Sequence, residues 1–206
     1  MENFDLHTPV MMFLRWIHYL AGIIWIGLLY FFNFINVSFA KTLDAESKKK
    51  VVPELMPRAL WWFRWGAMVT WLSGILFVIW KNWIASPSAG FMGEGGLMTS
   101  SWGKWISLGA LFGTVMWFNV WFVIWPNQRK IIKAIKGGEA PDAKWASQAS
   151  FRSKMNTWLS VPLLFSMGAA SHFPYVAWYT QLIVVGVGFL VAHHLIKIGT
   201  KVSTEV

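Results

Sequence analysis

Apolar residues dominate five stretches of this chain, and polar residues gather between them. The first stretch, residues 13–40, reads FLRWIHYLAGIIWIGLLYFFNFINVSFA. As a helix it exceeds the about 20 residues needed to cross a bilayer. The other four stretches are residues 60–84, 104–125, 156–173 and 176–198. Between the first two, residues 41–58 carry Lys48, Lys49 and Lys50 with Pro53 and Pro57, which predicts a break between helices. Residues 85–103 are rich in Gly, Ser and Pro and almost uncharged, the pattern of an exposed loop. Pro126 is expected to stop the third helix. The polar, basic residues 127–154 follow, with a partly helical piece near Arg129 to Lys136. Pro162 predicts a kink inside the fourth helix, and Pro174-Tyr175 a tight turn. The expected fold is all-α, an integral membrane helical bundle of about five transmembrane helices, with residues 1–206 as a single membrane domain without an internal repeat.

Within the first stretch, a helical period puts His18, Gly22, Trp25, Leu29, Asn33 and Asn36 on one narrow face. An ionisable ring is costly in lipid, so this stripe should face protein or a bound group. Gly22, one turn from His18, leaves the backbone open to something flat. Lys and Arg crowd the loops at 41–58 and 127–154, and the positive-inside rule then puts the N-terminus outside and the C-terminus inside. On that topology His18 and His172 each lie within roughly 10 Å of the outer hydrocarbon edge. Two imidazoles from different helices at one depth can hold one bis-histidine haem b. His172 follows Gly168, Ala169, Ala170 and Ser171, small residues that let a porphyrin approach. Arg15, one turn outward from His18, and Lys104, at the start of the third stretch, are candidate partners for haem propionates. The competing readings are an interhelical hydrogen bond for each histidine and snorkelling to the headgroups for Arg15.

A second polar group lies nearer the inner edge: Asn33, Asn36, Arg64, Asn119 and His193. It would suit a small polar substrate, a quinone head or a second cofactor. Interhelical hydrogen bonds with a snorkelling Arg64 are the alternative. His194 points to another face, and His7 is expected to be solvated before the first helix. No catalytic residue is singled out by these patterns.

Composition sharpens the class. Of 206 residues, 56% are hydrophobic and 13% charged, the balance of a membrane protein rather than a soluble domain. The net charge of +9 sits mostly between apolar segments, so it reads as a topology signal and not as a nucleic-acid surface. There is no cysteine, which excludes disulfides, thiolate ligands, iron–sulfur clusters and covalent c-type haem within these residues. The opening MENFDLHTPVMM lacks a basic region and cleavage site, so the first helix is expected to stay as an anchor. Several of the 16 tryptophans fall at segment ends, where an interfacial belt would place them. No phosphate loop, zinc signature or nucleophile elbow is present, and Gly186-Val187-Gly188 reads as packing glycine. Scarce acidic residues in the spans disfavour a carboxylate proton relay or a cation transporter.

Four segments, RWIHYLAGIIWIGLLYFFNF, MPRALWWFRWGA, FNVWFVIWPNQRKII and NTWLSVPLLFSMGAASHFP, resemble the N-terminal membrane domain of the bacterial membrane-bound urate oxidase (urate hydroxylase) family. The first stretch is also similar, more loosely, to the His-bearing first helix of the haem-dependent membrane protoporphyrinogen oxidases. The resemblance implies a multi-pass inner-membrane oxidoreductase that oxidises urate and passes electrons to a cytochrome c module, with His18 and His172 inside matching motifs. Fuller family members carry further membrane helices and a C-terminal cytochrome c domain. This sequence ends in VSTEV without a Cys-x-x-Cys-His motif, so the expected acceptor is a separate cytochrome c or a quinone. The other expectation is a cofactor-free accessory subunit of a larger membrane complex, or a homo-oligomer, whose tryptophans and small residues serve lipid and protein contacts.

Overall fold

The computed structural model describes residues 5–202; the opening MENF and the closing STEV lie outside the described residues, as does most of VSTEV. The described residues form five long helical rods, and no strand occurs among them. The first rod is α1 (His7–Tyr30), a π-helical segment Phe31–Asn36 and α2 (Val37–Thr42). The second is α3 (Ala45–Ile79) continued by a π segment Trp80–Ile84. The third joins α4 (Ser101–Phe118), a π segment Asn119–Ile124 and α5 (Trp125–Lys136). Helices α6 (Ala143–His172) and α7 (Trp178–Gly199) complete the bundle. Four of these, the three compound rods and α7, are long and apolar enough to cross a membrane. The fifth, α6, opens with AKWASQASFRSK, and that polar half lowers its hydropathy.

Three expected boundaries are corrected. Residues 41–58 are mostly helix, not a break, because Asp44 caps α3 by accepting the Ser47 amide at 2.7 Å. That bond holds the exposed Asp44 carboxyl below its usual range. Exposed ion pairs Glu46–Lys50 and Glu54–Arg58 stiffen the first turns, and Pro53 and Pro57 are carried inside the helix. Pro126 does not stop the third rod. The π segment before it adds a residue to the turn, the Trp125 amide reaches back to Val120, and the proline falls in the first turn of α5, where a missing N–H costs little. The fourth rod starts at Ala143 rather than 156, capped by Asp142 accepting the Lys144 amide at 2.8 Å. The loop at 85–103 is also less open than expected. Backbone bonds from Gly90 to Asn82, Leu97 to Gly90 and Met98 to Phe91 fold it back on itself, and Ala89 and Leu97 are buried.

Helices in lipid gain little from hydrophobicity, so they associate through close packing and polar contacts. Helix α1 lies along α3 so tightly that a Cβ on Gly66 would sit 3.2 Å from the Trp25 amide nitrogen. Helix α6 takes the middle, packed on α4 and α7 and touching α1. Its Asn156, Thr157, Ser160 and Ser166 have no solvent exposure, while Ile23, Ile183 and Leu190 point outward. The polar face of α6 therefore looks inward and its neighbours turn their aliphatic faces to the bilayer.

Candidate functional site

One end of the bundle gathers the residues of the outer candidate site. His7 stands over Trp80, and Arg15 lies 5.2 Å from the centre of the Phe77 ring. Phe77 in turn faces Trp102 at the start of α4. Ser101 donates to the Pro174 carbonyl at 2.9 Å, and Trp105 donates to the Phe173 carbonyl at 3.1 Å. These contacts put the beginning of α1, the end of α3, the beginning of α4 and the end of α6 at one level. His18 and His172 thus share an end of the molecule.

Each histidine faces a different element. The face carrying His18, Gly22, Trp25 and Leu29 looks at protein, as its period requires, and for the first three that protein is α3. The His18 Nδ1 lies 3.3 Å from the Ser73 hydroxyl, and the ring fills the space beside Gly74, where a Cβ would come within 3.0 Å of Cε1. No hydrogen bond of Nε2 is found among the described residues, and the ring also borders the Thr70 backbone carbonyl. Gly22 meets the Thr70 methyl at ordinary contact distance, 3.8 Å from where its Cβ would be. His172 is exposed at the end of α6, beside a shallow apolar groove lined by Leu164, Phe165, Gly168, Ala169 and Phe173. A Cβ on Gly168 would meet nothing within 4 Å. Lys104 is exposed, its backbone carbonyl accepting from Gln181.

The hydrogen bonds between the first rod and α6 lie well inward of this level. Tyr30 and Ser160 are joined hydroxyl to hydroxyl at 3.0 Å, and Asn33 donates to Ser153 at 2.8 Å. Toward the histidines, α1 leans on α3 and α6 on α4. The flank of α1 bearing Tyr19, 59% exposed, and the flank of α6 bearing Gly168 are left uncovered.

A family described as urate oxidase N-terminal matches residues 96–203, just over half of the sequence. The chain belongs to this family. No curated protein and no solved structure matches it. The family match runs from the loop before α4 through α7 and contains Lys104, Gly168 and His172, while Arg15, His18 and Gly22 precede it. Of the four resembling segments, the two later ones lie inside the matched residues.

The second polar group does not converge in this urate oxidase-family bundle. Asn33 spends its amide on Leu29 and Ser153. Asn119 donates to Asn156 at 2.7 Å, and Asn156 donates onward to the Met116 carbonyl. Arg64 lies 4.1 Å from the Trp125 ring centre, with Trp121 and Trp65 farther around it, and its Nε is unpaired. His193 is exposed and packs edge-on against Trp158. Each is a separate helix–helix contact. Ser73 and Gly74, the residues that seat His18, are not among those the sequence pattern singles out. A small-residue pair one helix away, at the same distance from the membrane edge, was the available signal.

Proposed function

We propose that this urate oxidase-family membrane domain binds one haem b between His18 and His172 and works as an electron-transferring oxidoreductase of a bacterial inner membrane. The observation that carries the reading is that one end of the bundle holds both an imidazole with its Nδ1 at Ser73 and a second imidazole beside an uncovered flank at Gly168. Metal-bound histidines usually present one ring nitrogen and anchor the other, as His18 does. The donor set therefore fits the group. His18 and His172 would be the axial ligands, the flank at Gly168 would take the porphyrin face, and Arg15 and Lys104 would reach its propionates. A bis-histidine haem b supplies reversible one-electron transfer.

The chain's own residues hold the ligands, exclude water on the α3 side through Phe77 and Trp102, and keep cationic side chains near the surface end. The N-terminus lies outside and the C-terminus inside on this reading, supported by the basic loops at 41–58 and 127–154. The electrons pass on to a cytochrome c or a quinone. Absorption spectra of the protein purified from haem-replete cells, oxidised and reduced, test the proposal. A b-type reduced spectrum that His18→Ala and His172→Ala each abolish is expected. A colourless preparation, or a spectrum indifferent to both substitutions, refutes it.

A further inference from the structure

We propose that Ser73 fixes the tautomer of His18, holding the ring proton on Nδ1 and leaving Nε2 as the lone-pair nitrogen. Its positioning role rests on the haem reading above; the tautomer itself does not. A serine hydroxyl has one proton to give. The Ser73 Oγ lies 2.6 Å from the Val69 carbonyl oxygen and 3.1 Å from that of Thr70. Carbonyl oxygens only accept, and two oxygens at 2.6 Å attract only with a proton between them. The hydroxyl proton is thus committed to the backbone of α3. What Ser73 offers His18, 3.3 Å away, is an oxygen lone pair. That contact is attractive when Nδ1 carries the proton and repulsive when it does not.

Neutral imidazole carries a single ring proton, so Nε2 is bare. Ser73 is only 4% exposed, so water does not compete for the place. Gly74 supplies the other wall, since a Cβ there would press on Cε1 and Nδ1. The two small residues make a seat that selects both the orientation and the protonated nitrogen of the ring. An acceptor behind a metal-bound imidazole raises its basicity, and losing such a partner typically costs about 10–100-fold in metal affinity.

Nitrogen NMR on 15N-histidine-labelled protein prepared without haem reads the tautomer, with the His18 signals assigned by their loss in His18→Gln. The expected result is a protonated Nδ1 and a bare Nε2, drifting toward the opposite tautomer in Ser73→Ala and restored in Ser73→Thr. With haem, Ser73→Ala should weaken binding about tenfold and move the reduction potential to a more positive value, again restored by Ser73→Thr. A protonated Nε2 in the unmodified protein overturns the proposal. So does a Ser73→Ala variant with unchanged tautomer, affinity and potential. If the protein never takes up haem yet shows the Nδ1 proton, the haem reading fails and the tautomer assignment stands.

Discussion

Gly74→Ala and Gly22→Ala separate two accounts of what the small residues near His18 are for. If Gly22 is the opening through which a flat group reaches the helix, a methyl there should block it. The packing says otherwise, because a Cβ on Gly22 would sit 3.8 Å from the Thr70 methyl, an ordinary contact. On Gly74 the same carbon would stand 3.0 Å from His18 Cε1 and 3.2 Å from Nδ1, so the ring must give way by a few tenths of an ångström. The Ser73–His18 contact is already 3.3 Å long, and a shift of that size ends it. Losing one such bond costs about 0.5–1.5 kcal/mol, or roughly two- to tenfold in ligand affinity. Haem titration of the purified variants in nanodiscs measures this. Gly74→Ala should bind roughly two- to tenfold more weakly, and Gly22→Ala should bind as the unmodified protein does. Circular dichroism serves as the control for folding, which Ala in a helix does not oppose. The reverse order, or equal binding by both, refutes the assignment of the His18 seat to α3.

Three further outcomes follow from the bundle. Asn156→Ala strips partners from the Asn119 amide and the Met116 carbonyl, and should lower stability by about 1–3 kcal/mol in detergent unfolding, given about 0.6 to 1.7 for each such contact in a membrane; no loss would mean the Asn pair is not a structural tie. The Asp44 carboxyl has its pKa lowered by the Ser47 amide, so its contribution is present above the ordinary carboxylate value of about 3.9 and fades as acid passes through the lower folded value. Protection of the amides at residues 45–50, measured relative to their intrinsic exchange rates at each pH, should therefore fall on acidification, and Asp44→Ala should remove that dependence; protection unchanged by pH refutes the cap. A reporter active only outside the cell membrane should be active when inserted at Gly95 and silent at Gly138, and the opposite pattern would invert the topology.

Much of this was legible in the sequence because lipid enforces a simple rule. Runs of apolar residues long enough to cross a bilayer gave the rods, and the stripe of His18, Trp25, Leu29 and Asn33 turned inward as its period required. Prolines misled because their local effect depends on what surrounds them. Pro53 and Pro57 lie half-buried inside α3, in a stretch whose Glu54, Leu55 and Arg58 are exposed, and the π segment before Pro126 absorbs its clash. The second polar group admits two readings in the sequence, a shared site or separate interhelical contacts, for another reason. Shared depth is readable from a sequence, but direction around the axis relative to a third helix is not. Asn33, Arg64, Asn119 and His193 sit at comparable heights and still look at different neighbours. Ser73 went unremarked because serine in an apolar span is ordinary until a histidine is found against it.

The polarity of α6 explains why hydropathy finds it last and why the site lies where it does. A helix surrounded by other helices has no need of an aliphatic coat, and in lipid its polar side chains are what bind it to its neighbours. Ser153, Asn156 and Ser160 are used in this way, reaching the first rod and the π segment of the third. Beyond Pro162 the pattern changes. Ser166 turns back to the Pro162 carbonyl on its own helix, and Gly168, Ala169 and Ala170 offer no side chain that could tie α6 to α1. The two helices are therefore fastened at one end and unfastened at the other, and the unfastened end holds both histidines. Filling the Gly168 flank tests whether that gap is used: Gly168→Leu places bulk where no atom of the chain now stands, so folding should be unaffected while haem uptake is lost. Full uptake by this variant would refute a ligand seated between α1 and α6.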